Sequence, residues 1–277
     1  MKSLGTLSHR KKVAHLQNKK VQKGGAKMRT AVILPDIHHP FQDKACMNAV
    51  FSFLKDYGKK LSYLILLGDQ LDMESMSHWL EGQTRVLEGK RTKKEYTLFI
   101  KEILDPIENT LSPNCRKVFF IGNHEDWVRQ QIDKNPVQLE GLAEVDENLN
   151  LKERGWKVIE LNKTMPLGKL TLCHGLYTNI YHARKMVDTF GRSVIYGHTH
   201  DIQEHTKTTP IDVNDVHKGK SIGCLCNINP GYGRNRPNRW VHAFSIVYLF
   251  PDGQFNEYTI NIVNGKFAWN GKIYGGK

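Results

Sequence analysis

Thr30-Ala31-Val32-Ile33-Leu34-Pro35-Asp36-Ile37-His38 opens the patterned part of the sequence, and Leu61-Ser62-Tyr63-Leu64-Ile65-Leu66-Leu67-Gly68-Asp69 repeats its plan. Each is a short apolar run stopped by proline or glycine and followed at once by an acidic residue. Runs of this length read as buried strands. Between them Asp43 opens a segment in which Ala45, Ala49, Phe53 and Tyr57 recur at every fourth position beside Cys46, Val50 and Leu54, and Gly58 closes it. That spacing predicts a core-facing helix. Strand, helix, strand in this order is a βαβ unit, which implies a parallel pair. The fold class is therefore α/β.

Working outward, strands are predicted at Lys117–Ile121, Lys157–Leu161, Leu170–Cys173, Val194–Tyr196, Ile222–Ile228 and Ala243–Phe250, with a helix across Thr178–Phe190. A charged helical stretch over 73–110 reads as an insertion above the sheet. Within it Thr92-Lys93-Lys94-Glu95 has the form of a capping box, and Tyr96, Phe99, Ile100, Ile103 and Leu104 make an apolar stripe. There is no internal repeat and no Ser/Pro-rich linker, so residues 30–277 form a single domain behind a flexible tail, 1–29. A smaller β element from about 241 onward is compatible with the pattern.

The net charge of +12 looks like a nucleic-acid footprint until it is located. Residues 1–29 carry nine basic side chains and no acidic one, which leaves the body close to neutral. The basicity thus argues for a tail that visits anions, DNA or RNA among them, and says little about a catalytic groove. No apolar run approaches the ~20 residues of a membrane span. No apolar stretch with a small-residue cleavage site follows the basic start, so the expected location is the cytosol. The five cysteines are odd in number and form no CxxC pair, which suits reduced thiols. Cys224 and Cys226 alternate along an apparent strand and read as a packing face in preference to a metal pair.

Five short blocks stand in order, each after a β-run: Asp36-Ile37-His38, Gly68-Asp69-Gln70-Leu71-Asp72, Gly122-Asn123-His124-Glu125, His174-Gly175 and Gly197-His198-Thr199-His200. Strand ends on one sheet edge bring such side chains within metal-bonding reach of one another. This ordered set resembles the calcineurin-like metallophosphoesterase superfamily, whose pattern is DxH, GDxxD, GNH(E/D), H and GHxH; the likeness covers residues 36–200. It implies a four-layer αββα sandwich with a dinuclear metal site at the C-terminal ends of the strands. It also implies that Asp36, His38 and His200 hold one ion, that Asn123, His174 and His198 hold the other, and that Asp69 bridges. Mixed nitrogen and oxygen donors suit manganese, iron, zinc, cobalt or nickel better than magnesium or calcium, with manganese the first choice.

By the same resemblance, the two ions activate a bridging hydroxide for in-line attack on phosphorus. His124 matches the non-ligand histidine that protonates the leaving oxygen, and Asp72 the carboxylate that orients it. A capping or supporting role for Asp72 stands beside that one. His39 reads as a turn residue beside a ligand, Glu125 and Asp126 as caps of the helix that follows, and His78, His182, His205 and His217 have no visible partner. The segment 229–240 carries Arg234, Arg236 and Arg239 with Tyr232 and Trp240. It is either a phosphate grip with a base-stacking ring, familiar from phage and bacterial members, or a surface loop whose Trp240 plugs the core.

Met73-Glu74 after Asp72 departs from the GDxxDRG of protein phosphatases, whose arginine binds the substrate phosphate. Phosphodiester chemistry on nucleic acid or nucleotides, resembling the nuclease subunit of double-strand-break repair, is therefore favoured. A small-molecule or protein phosphomonoesterase is the alternative. A non-catalytic scaffold of the same fold is opposed by the full ligand set.

Overall fold

The computed structural model describes residues 27–134, 144–230 and 236–276. Its architecture is a four-layer αββα sandwich. In the first sheet β1 (Arg29–Leu34), β2 (Tyr63–Leu66), β3 (Arg116–Phe120) and β4 (Trp156–Ile159) run parallel. The hairpin β10 (Ala243–Leu249) and β11 (Phe255–Asn261) extends the β1 edge antiparallel. The second sheet has the order β5-β6-β7-β9-β8, built from Met165–Leu167, Leu170–Leu172, Val194–Tyr196, Val216–Ser221 and Glu204–Thr208 respectively.

The period-two alternation of a strand decides which residue meets which layer. Ala31, Ile33, Ile65 and Leu67 face the second sheet and pack with Leu167, Leu172 and Ile195. Val32, Leu34, Leu64 and Leu66 face the other way, onto Val50, Phe53 and Leu54 of the helix Lys44–Tyr57. That helix starts where Asp43 accepts a hydrogen bond from the Cys46 amide at 2.8 Å. Phe53 is 1% exposed, a burial worth about 2 kcal/mol. On the far side the helix His182–Phe190 covers the second sheet through Met186.

Four expectations change. The strand placed at Ile222–Ile228 is β9, Val216–Ser221; its largely polar side chains hide it, and the chain beyond it leaves the ladder at Gly223, φ 77°. Thr92 does not cap a helix: it is the first residue of Thr92–Phe99, and its hydroxyl lies 3.0 Å from that of Ser75. The stretch 73–110 divides in two, because Tyr96, Phe99, Ile103 and Leu104 are buried in the helix-side core, while two 3-10 turns, Glu74–Met76 and His78–Leu80, and the helix Thr84–Leu87 rise over the strand ends. Finally, the β structure beyond 241 is not separate. It supplies the sheet edge, and β12 (Lys266–Trp269) and β13 (Lys272–Gly275) close over the helix, Phe267 and Tyr274 lying 5.9 and 5.5 Å from Phe53. No helix among the described residues is long and apolar enough to cross a membrane.

Candidate metal centre

All five blocks meet at the C-terminal ends of the parallel strands. Asp36, His38, Asp69 and His200 form one group of buried donors and Asp69, His174 and His198 a second, each group with its donor atoms within 4.8 Å of one another. Asp69 belongs to both. In the first group His38 Nε2 lies 3.1 Å from His200 Nε2, and His200 Nε2 lies 3.4 Å from Asp36 Oδ1. In the second His174 Nε2 lies 3.2 Å from Asp69 Oδ2 and 3.0 Å from Asn123 Oδ1, which brings Asn123 to the same point.

The backbone is bent to present these side chains. Asp36, His38, Asp69, His198 and His200 all have φ between 44° and 70°, a left-handed conformation that costs a non-glycine residue roughly 1–2 kcal/mol. Five of the seven proposed ligands are therefore held against their own preference, as happens where surrounding structure over-determines a functional geometry. Two glycines make room. A Cβ on Gly122 would lie 2.2 Å from Asp69 Oδ1, and one on Gly197 would lie 2.2 Å from Asp36 Oδ2. Backbone amides then hold the carboxylates: His198 N–H donates to Asp36 Oδ1 at 2.9 Å and His124 N–H to Asp69 Oδ1 at 3.0 Å.

Three outward ring nitrogens are spoken for. Nδ1–H of His38 donates to Asp72 Oδ2 at 3.1 Å and that of His174 to the Leu67 carbonyl at 3.0 Å. Cys226 Sγ lies 3.8 Å from His200 Nδ1, so the cysteine read as a packing residue also supports a ligand. These bonds turn three Nε2 atoms inward. Burial opposes charge on His174, yet Asp69 and Asp36 outweigh it and raise the ring to about 10. Burial likewise opposes charge on His200, but Asp36 lifts it to about 9. Burial, then His174, lowers His198 to about 4, and its Nδ1 is buried without a hydrogen-bond partner. Two buried carboxylates that draw protons onto neighbouring imidazoles, with an unpartnered imidazole nitrogen beside them, fit a pair of divalent cations that would take those protons' place.

Asp72 meets His124, though through its main chain more closely than through its carboxylate. Its carboxylate holds His38 and lies 3.9 Å from His124 Nδ1, while its backbone carbonyl accepts from His124 Nδ1–H at 2.7 Å. The left-handed Met73, φ 51°, follows that carbonyl and turns the chain away. Glu125 differs from expectation. Rather than merely capping its helix, Asn123–Lys134, it accepts from the amides of Asp69, Gln70, Leu71 and Gly122 at 2.7–3.0 Å, tying two motif loops together. Burial, then Asp69, pushes its carboxyl up to about 7. His39 is buried against Phe99 with Glu102 3.2 Å away, a structural role.

His182, without a partner visible in sequence, supports the last motif. Its Nδ1 lies 2.6 Å from the Tyr196 hydroxyl and its Nε2 3.1 Å from Asp201 Oδ2, and Asp201 accepts from Thr199 and Ser221 at 2.8 and 3.1 Å. The available signal was position, since Tyr196 and Asp201 flank Gly197–His200 directly. Of the loop arginines, Arg239 lines a small cavity with His198, Asp201 and Trp240, Arg236 is exposed and lines neither that cavity nor the main cleft, and Arg234 lies outside the described residues. Trp240 stands at the metal centre, 4.2 Å from the His200 ring, and does not plug the core.

No protein-family model matches the chain, and no curated protein does. Among solved structures it is similar to a purple acid phosphatase from yellow lupin (Lupinus luteus) seeds, with TM-score 0.44 and 11% identity over 88% of this chain and 53% of that one. It is also similar to the nuclease MPE of Pseudomonas putida, with TM-score 0.31 and 12% identity over 82% and 86%. A dimetal phosphatase from Danio rerio gives 0.38 and 12% over 84% and 98%. The chain thus spans about half the length of the lupin enzyme. Similarity this low carries no functional weight; the chemistry is read from the side chains.

Proposed function

We propose that the chain is a calcineurin-like metallophosphoesterase that holds two divalent cations, manganese first among them, and hydrolyses phosphodiesters of nucleic acid or nucleotides. The observation that carries this is the sharing of one buried carboxylate, Asp69, by two clusters of imidazole, carboxylate and amide donors at the strand ends. Asp36, His38 and His200 would hold one cation, Asn123, His174 and His198 the other, and Asp69 both. Bound there, such cations supply Lewis acidity toward phosphoryl oxygens and lower the pKa of a water.

The protein's own groups supply the rest. His124 is partly exposed to the cleft, its ring 4.4 Å from that of His38. With Nδ1–H given to the Asp72 carbonyl, its Nε2 is the nitrogen free to hand a proton to the leaving oxygen. Asp72 keeps His38 in place through its carboxylate and His124 through its carbonyl. Diester preference is supported by the charge of the cleft. Apart from histidines, its one cationic lining residue among those described is Lys90, which is paired with Glu74. A phosphomonoester dianion asks for more positive charge than that. Five free, buried thiols suit a reducing compartment, so we place the protein in the cytosol.

Metal analysis of the purified protein, with turnover of bis-p-nitrophenyl phosphate and p-nitrophenyl phosphate under manganese, iron, zinc, cobalt and nickel, tests the reading. We expect two ions per chain and faster diester than monoester turnover. Fewer than one ion, or no turnover with any metal, would overturn it; faster monoester turnover would overturn the diester assignment.

A further inference from the structure

The cleft above the metal centre has a volume of about 830 Å³, and the rings of Phe41, Trp79, Trp127 and Trp240 line it. From His124 a row of rings leads outward. Trp127 lies 3.9 Å from His124 between centroids, His78 lies 5.4 Å from Trp127, and Trp79 lies 4.5 Å from His78. Trp79 ends the row with 73% of its surface exposed. Trp240, against His200, and Phe41 line the same cleft. The turn His78–Leu80 belongs to the segment that rises over the strand ends; its Trp79 and Leu80 line the cleft and it supplies no proposed ligand. Its conformation is secured by Gln83, whose side-chain amide donates to the Trp79 carbonyl at 2.9 Å.

We infer that Trp79, backed by His78, is a nucleobase ledge: a nucleotide with its phosphate over the metal centre lays its base on the exposed indole. The inference rests on the phosphodiesterase reading and adds the recognition element. An exposed indole, fixed from behind by the His78 ring at an interplanar angle of 40°, offers an open flat face that suits a flat heteroaromatic ligand. The hydroxyl of Ser77 and the carboxamide of Gln83 line the same cleft and offer hydrogen bonds to a base edge. Stacking of one base on an aromatic ring is worth roughly 5- to 150-fold in affinity. A base within a duplex is already stacked and cannot reach the ledge, so the ligand is a free nucleotide or an unpaired strand.

Calorimetric titration of the full-length, manganese-loaded protein tests this, with adenosine 5′-monophosphate against ribose 5-phosphate, which differ only in the base. We expect the nucleotide to bind about 10- to 100-fold more tightly, Trp79→Ala to reduce that preference to within about threefold, and Trp79→Phe to keep most of it. Equal affinities in the wild type, or a preference that survives Trp79→Ala, would overturn the subsite. A deoxyadenosine decamer distinguishes the sources: tighter binding than the mononucleotide assigns the ledge to unpaired strands, and equal binding to free nucleotides. Binding of the annealed decamer duplex as tight as that of the single strand would overturn the inference. Failure of the wild type to turn over bis-p-nitrophenyl phosphate would remove the phosphodiesterase reading and leave this binding comparison readable on its own.

Discussion

Asp69 is 1% exposed and faces His174 at 3.2 Å and His38 at 3.8 Å. Burial alone would favour its neutral form, but His174 and His124 outweigh that and hold its carboxyl well below the usual range. A side chain placed so is anionic, and it is the one donor common to both groups. Asp69→Asn should therefore leave less than one ion per chain and abolish diester turnover, since a neutral amide compensates two cations poorly. Wild-type turnover in that variant would sink the dinuclear reading. His124 should behave differently, because its ring is anchored by the Asp72 carbonyl and belongs to neither ligand group. His124→Ala should keep both metals and lose roughly 10²- to 10⁴-fold in rate, the usual size of a general-acid contribution. The loss should shrink with better leaving groups. Metal analysis decides, for a variant that also loses its ions would make His124 a ligand.

At the scale of elements the site is a set of strand-to-loop turns packed against one another. Gly197 has an ordinary φ, so alanine is allowed by its backbone, yet the added methyl would strike the Asp36 carboxylate. Gly197→Ala should then lower metal content toward one ion per chain with unchanged circular dichroism. Gly271→Ala is the contrast: nothing lies near its Cβ, but φ is 77°, so it should cost about 1 kcal/mol of stability and no metal. Equal metal loss in both would mean that the Gly197 effect is general. The same turns explain what was legible in the sequence. Asp36, His38, Asp69, Asn123, His174, His198 and His200 follow short, continuously apolar strands that are easy to place, so their meeting at one sheet edge could be foreseen from those strands and the family resemblance together. Strand β9 and the edge strand β8 could not, because polar, exposed side chains such as Lys207 and Lys218 blur their period. Glu125, Cys226 and His182 escaped for another reason. What they hold are backbone amides or motif residues on other elements, and such bonds leave no mark in the local pattern.

For the whole molecule the open quantity is charge. The domain carries its anions in pairs with cations, as in Lys220 between Glu204 and Glu257 at 3.2 and 2.8 Å, and the cleft is walled more by rings than by ammonium groups. A polyanionic substrate must find its long-range attraction elsewhere, and the sequence concentrates nine Lys and Arg without an acid in residues 1–29. Residues 1–26 lie outside the described residues; the segment precedes β1 and supplies none of the proposed ligands. It should therefore act on affinity and leave chemistry alone. Deleting residues 1–28, which carry eight of those nine cations, should weaken binding to DNA or RNA and flatten its salt dependence, because log K falls by about 0.9 per neutralised phosphate per decade of salt on duplex DNA. Turnover of bis-p-nitrophenyl phosphate, which needs no steering, should hardly change. Binding measured across a salt series checks both halves. An unchanged slope would take nucleic-acid recognition away from the tail, and a collapse of small-diester turnover would make the tail part of the catalytic fold.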